Sequence, residues 1–262
     1  MAPFSIWLDE LDEIFDNMAD EKTASWPFMQ SARTVILIAL CYILIVTSIG
    51  PKLMENRKPY NLKGIIIVYN TFQVVACTIL FAWVILSGPT LGCVPLSVTR
   101  AEENLDTARI CWWTLLLKLA ELLETVFFVM RKKQNQVSAL HVYHHVSTFF
   151  CTWGCTKIFP SKMVTLPIML NCFVHMLMYT YYLLSAFGPS IQDKISKWKK
   201  YLTIIQMVQF CILLVHTSQT FLPNCEVPSI YPYVFIPNVF LVFYMFYQFY
   251  QEAYLKRKQN IK

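Results

Sequence analysis

The chain has 262 residues, 56% of them hydrophobic and only 15% charged, with a formal net charge of +6. So little polar surface cannot coat a globule of this size, which excludes the soluble classes. The basic residues border apolar runs and are not gathered on a polar domain, so nucleic acid is excluded as a partner and membrane lipid takes its place.

The first 25 residues are acidic and lack a basic start ahead of an apolar run, so no cleavable signal peptide is expected. Phe4, Trp7, Leu8, Leu11, Phe15 and Met18 fall near helical spacing, with Asp9, Glu10, Asp12, Glu13 and Asp16 between them. That pattern fits either an amphipathic surface helix or a solvated leader. Residues 1–33 are read as a lumenal segment, 34–254 as a membrane domain and 255–262 as a basic cytoplasmic tail.

Within the membrane domain, apolar stretches run from Thr34 to Ile49, Gly64 to Leu86, Ile110 to Met130, Val137 to Trp153, Met163 to Phe187, Tyr201 to Leu222 and Pro232 to Tyr250. Several reach the roughly 20 residues that a hydrocarbon core requires. The expected fold is an all-α integral membrane protein of seven transmembrane helices. With the N-terminus outside, the cytoplasmic segments would hold 15 of the 22 lysines and arginines, the asymmetry that sets topology. Lys132, Lys133, Lys199 and Lys200 belong to this basic rim, which also suits attraction of a phosphate-bearing substrate.

Of nine cysteines, most lie inside the spans, but Cys93 and Cys225 fall in the two lumenal loops. An oxidising lumen permits a disulfide between them. No Asn-x-Ser/Thr sequon occurs in the chain.

Polar residues intrude into four spans, and ionisable groups at membrane depth are costly enough to mark function. In the third span Lys118, Glu121 and Thr125 follow at helical steps with Glu124 on their flank; a structural Lys118–Glu121 pair is the alternative. In the fourth, His141, His144 and His145 stand at i, i+3 and i+4 and share one arc. The fifth carries Asn171, His175, Met178, Tyr179 and Tyr182, and the sixth Thr203, Gln206 and Gln209, patterns that suit helix packing as well as a cavity wall. The catalytic candidates all lie about 5 to 10 residues from the cytoplasmic ends, roughly 8 to 15 Å deep. A shared polar layer above apolar lumenal halves suits an anionic head with a hydrocarbon tail. It also sets the chain apart from a seven-span receptor or a transporter.

Three imidazoles on one arc can ligate a metal or can do nucleophilic and acid–base work. With only five histidines in the chain, a di-iron site lacks ligands, while a mononuclear site stays open.

HVYHH at 141–145 preceded by QVSAL, KLAELLET at 118–125, NCFVHMLMYTYY at 171–182 and TIIQMVQF at 203–210 occur in an order that resembles the very-long-chain fatty acid elongase family. The resemblance covers roughly residues 25 to 255. It implies a seven-span enzyme of the endoplasmic reticulum, with spans 2–7 around an acyl-chain tunnel. Its reaction condenses acyl-CoA with malonyl-CoA, releases CO2 and CoA, and leaves 3-oxoacyl-CoA. No metal and no bound cofactor are implied; the partners are the reductases and dehydratase of the elongation cycle, and the oligomeric state stays open, with a dimer allowed.

Carried residue by residue, the resemblance makes His144 the acyl acceptor, with His175 facing it and His141 and His145 orienting it or moving protons. Glu121 or Glu124 would hold an imidazole tautomer, Asn171 would donate to an oxyanion, and Gln206 and Gln209 would position the enolate. Lys118, Tyr179 and Tyr182 complete the substrate-binding set. Two departures stand out: Glu124 replaces the family's usual Asp, and the glycines expected before the fifth span are absent. HVYHH after QVS is closer to the branches acting on saturated and very long chains than to the HWYHH branch.

Overall fold

The computed structural model describes residues 2–94, 105–225 and 227–256. Arg257, Lys258 and Lys262 of the expected basic tail, and the side chain of Phe4, lie outside the described residues. Helices run Ala2–Asn17 (α1), Ala32–Met54 (α2), Lys63–Leu86 (α3), Leu105–Met130 (α4), Ala139–Ile158 (α5), Thr165–Ala186 (α6), Pro189–Ile195 (α7), Trp198–Ser218 (α8) and Ile230–Tyr250 (α9). Among the described residues there is no strand.

Among the described residues, five helices are long and apolar enough to cross a membrane: α2, α3, α6 with the turn before it, and α8 and α9, each with the turn after it. The chain is therefore a multi-pass membrane protein. The other two long helices, α4 with 26 residues and α5 with 20, are interrupted by Lys118, Glu121, Glu124 and three histidines. At 1.5 Å per residue they measure about 39 and 30 Å.

Two compact units form, Met1–Asn61 with Glu102–Val164, and Leu62–Ala101 with Thr165–Lys262. In the first, Met29, Ala32, Val35, Leu115, Phe149 and Trp153 make one core, and Tyr42, Val46, Met54, Leu122 and Val129 a second. Ser31 caps helix α2, its hydroxyl accepting from the Arg33 amide, and the helix outlasts the expected end at Ile49. Pro51 has no N–H and would crowd the carbonyl one turn back. The chain absorbs this with a π turn at Ile45–Ile49 and continues to Met54.

The acidic face of α1 finds partners inside this unit. Asp12 accepts from the Ser31 hydroxyl at 2.9 Å and the Arg33 amide at 3.2 Å, and Asp9 pairs with the Arg33 guanidinium. Asp16 accepts from the wholly buried Lys157 at 2.7 Å, and that ammonium also donates to the Met29 carbonyl. Phe15 meets Trp153 edge-on, and Trp153 Nε1 donates to the carbonyl of Phe28, a residue held at φ 69°. Residues 2–31 are thus fastened to the start of α2 and the end of α5, with Ile6, Trp7 and Ile14 of α1 left exposed.

In the second unit α3 packs on α6, and α8 packs on α9 and α6. The pattern of α3 is inverted relative to a soluble helix. Ile65, Val68, Phe72, Val75 and Ile79 form an exposed apolar stripe, while Tyr69, Asn70, Gln73 and Cys77 are buried. Lipid, as the outer solvent, favours this arrangement. Cys93 and Cys225 form a disulfide with Cα atoms 5.8 Å apart. His216 and Gln219 both bond to the Leu91 carbonyl, which ties the loop after α3 to the end of α8.

Candidate functional site

The first polar cluster belongs to α4 and α5. Ser138 caps α5, its hydroxyl accepting from the His141 amide at 3.2 Å, so helical geometry begins just ahead of the three histidines. His145 is buried and His141 and His144 are half-buried. The rings of His141 and His145 lie 4.3 Å apart, centre to centre, and those of His144 and His145 5.8 Å.

On α4, Lys118 Nζ donates to both carboxylate oxygens of Glu121 at 2.8 and 3.0 Å, with neither side chain more than 4% exposed. Closing this pair neutralises two charges that would be costly alone at membrane depth. Glu124 sits 3.9 Å from His145 Nε2. Thr125 Oγ1 lies 2.9 Å from His141 Nε2 and 2.7 Å from the Tyr42 hydroxyl. Glu124, His141 and His145 bring one ligand atom each within 4.8 Å of one another, a set of donors that suits a divalent ion.

The second cluster belongs to the other unit. His175 and Tyr179 are buried on α6, with rings 5.7 Å apart, and Tyr179 meets Tyr182 at 6.1 Å and Tyr69 of α3 at 6.0 Å. Gln73 is wholly buried; its amide donates to the Tyr69 hydroxyl at 3.0 Å, and its Oε1 has no hydrogen-bond partner among the described residues. Asn171 is half-buried on α6. On α8, Gln206 Nε2 lies 3.8 Å from the Met178 sulfur, and Gln209 is buried.

The model of the ELO (GNS1/SUR4) family matches residues 27–262. The chain belongs to this family of very-long-chain fatty acid elongases. It is 40% identical to very long chain fatty acid elongase 7 of Drosophila melanogaster over 98% of this chain and 79% of that protein. It is 39% identical to very long chain fatty acid elongase 1 of Mus musculus, over 79% of this chain and 76% of the relative. Elongase 4 of the same species is 37% identical, over 81% and 69%.

The match to the family model begins after α1, so the clamp made by Asp9, Asp12 and Asp16 lies ahead of it. The basic candidates are at helix ends. Lys132 takes a left-handed turn at the end of α4, φ 55°, and its ammonium donates to the Glu55 carbonyl at 2.9 Å, while Lys133 is exposed beside it. Lys199 is exposed in the first turn of α8, and Lys200 lies over the Tyr250 ring at 5.8 Å. Tyr42, Tyr69, Asn70 and Gln73 were not legible as site residues. Two amides inside the apolar 63–86 run were the available signal for α3, whereas a single tyrosine in α2 gave none.

Proposed function

We propose that this chain performs the condensing step of fatty acid elongation, joining a long or very long acyl-CoA to malonyl-CoA to give 3-oxoacyl-CoA, CO2 and CoA. Family membership supports elongation. The observation that carries the chemistry is the cluster on α4 and α5, where three histidines on one arc lie against buried carboxylates.

In this reading an imidazole nitrogen of His144 attacks the acyl thioester. The C–S bond breaks, the departing thiolate takes up the imidazole N–H proton as CoA leaves, and an acyl-imidazole remains. Malonyl-CoA then loses CO2, its enolate carbon attacks the acyl carbonyl, and the imidazole departs and is reprotonated. Glu124, beside His145, holds an imidazole in one orientation, and His141 and His145 move protons. His175 is the fourth catalytic imidazole of this reading, and Asn171, Gln206, Gln209, Tyr179 and Tyr182 serve substrate binding and charge stabilisation. The reaction needs no metal or cofactor. Lys132, Lys133, Lys199 and Lys200 attract the phosphates of coenzyme A.

The enzyme resides in the endoplasmic reticulum with α2, α3, α4, α5, α6, α8 and α9 as seven spans, the last six around the acyl tunnel. The N-terminus is lumenal and the C-terminus cytoplasmic. The distribution of lysine and arginine supports this orientation, as does the Cys93–Cys225 disulfide, which belongs in an oxidising compartment. The reductases and dehydratase of the cycle act on its product.

The test is incubation of purified protein with octadecanoyl-CoA alone, followed by intact and peptide mass spectrometry. An acyl adduct on His144, absent in His144→Ala and discharged by malonyl-CoA with 3-oxoacyl-CoA appearing, is the expected result. Condensation without an adduct under any quench would remove the nucleophile role, and the absence of both from folded protein would remove the elongase reading.

A further inference from the structure

The α4–α5 cluster has a third helix at its edge. Tyr42 of α2 is buried, and its hydroxyl reaches Thr125 Oγ1, which in turn reaches His141 Nε2. Helical Thr71, Thr78, Thr114 and Thr148 turn their hydroxyls back to the carbonyl four residues earlier. Thr125 Oγ1 meets two side chains. That hydroxyl has one hydrogen and two lone pairs to share between a phenol and an imidazole.

A phenol is more acidic than an aliphatic alcohol and is the better donor, so the Tyr42 hydrogen goes to Thr125 Oγ1. The threonine hydrogen is then free to go to His141 Nε2, which accepts it through its lone pair; were both neighbours to donate to Oγ1, that hydrogen would have neither of these two side chains as an acceptor. We infer that Tyr42, acting through Thr125, is a positioning residue for His141, fixing the ring with its proton on Nδ1 and Nε2 as acceptor. This deepens the reading of the α4–α5 cluster as the condensing site and rests on it.

His141 is also in ring contact with His145 and Phe128, and His145 with His144. An orientation set at His141 is therefore passed along the arc of imidazoles by contact. The other ionisable groups of the cluster are Glu124, which faces His145, and Lys118 and Glu121, which close on one another. Tyr42 is the contribution of α2. It touches no reacting atom and acts on turnover through the geometry of the rings.

Tyr42→Phe keeps the ring and its packing and deletes only the hydroxyl. In octadecanoyl-CoA plus malonyl-CoA assays, kcat should fall about tenfold, equivalent to about 1.4 kcal/mol, with KM within about twofold. Nitrogen-15 NMR of histidine-labelled protein, with the His141 signals assigned by their loss in His141→Gln, reads the tautomer independently of turnover. Wild type should show Nδ1 protonated and Nε2 as acceptor, and Tyr42→Phe a mixture of both forms. Thr125→Val should behave like Tyr42→Phe and Thr125→Ser like wild type, a pair that decides the matter if Tyr42→Phe fails to fold.

A wild-type His141 protonated on Nε2, or active Tyr42→Phe and Thr125→Val enzymes with unchanged signals, would overturn the inference. If wild type makes no 3-oxoacyl-CoA at all, the condensing function falls, while the NMR measurement still decides the tautomer.

Discussion

The helix pair α4–α5 and the helix pair α3–α6 both bury polar groups, and they satisfy them differently. On α4 and α5, charge meets charge and hydroxyl meets imidazole: Lys118 closes on Glu121, Glu124 faces His145, and Thr125 joins His141 to Tyr42. On α3 and α6, ring contacts join Tyr69, Tyr179 and His175, and one buried amide oxygen, Gln73 Oε1, has no partner among the described residues. A cluster whose members satisfy one another is organised before any substrate arrives, and a single deletion that strands a buried partner is costly there. A cluster held by rings tolerates loss of a polar atom.

The largest effect should come from breaking the closed pair. Lys118→Met strands the Glu121 carboxylate in the interior and should cost about 3–5 kcal/mol in thermal unfolding of the detergent-solubilised protein. The double change Lys118→Met with Glu121→Leu should recover most of that loss. If the single and double variants unfold alike, the pair does not govern this region's stability. Gln73→Leu tests the other side of the comparison. It removes one hydrogen bond and one unsatisfied acceptor together, so unfolding should move by less than about 1 kcal/mol; a loss as large as that of Lys118→Met would mean both clusters are held in the same way.

The smallest effect should be that of a chelator. Glu124, His141 and His145 are spaced to hold an ion, yet the proposed chemistry needs only imidazole and carboxylate. Dialysis against a strong chelator should leave the condensation rate unchanged, and a loss restored by zinc would turn the trio into a ligand set.

Much of this was legible in the sequence because apolar length and helical spacing are local properties. The expected start of α4 at Ile110 fell five residues late, since Asp106 and Arg109 end an apolar run without ending a helix. Helices α4 and α5, read from the sequence as apolar stretches like the rest, are not among the five helices apolar enough to cross a membrane, because the groups that carry chemistry lower their apolarity. What stayed hidden was pairing at a distance. Tyr42 and Thr125 are 83 residues apart and Asp16 and Lys157 are 141 apart, so no period in the sequence connects them. The acidic face of α1 looked like a solvent face because its partners, Arg33, Ser31 and Lys157, lie beyond any local window.

Gly50 has a consequence for the position of Tyr42. In the widened turn of α2, a Cβ at this residue would come within 2.5 Å of the Ile45 carbonyl oxygen and 2.8 Å of Val129 on α4. A hydrogen in place of a methyl lets the two helices close there, about two turns from the point where the tyrosine hydroxyl meets Thr125. The smallest side chain in the protein thus acts as a spacer gauge for a hydroxyl it never touches.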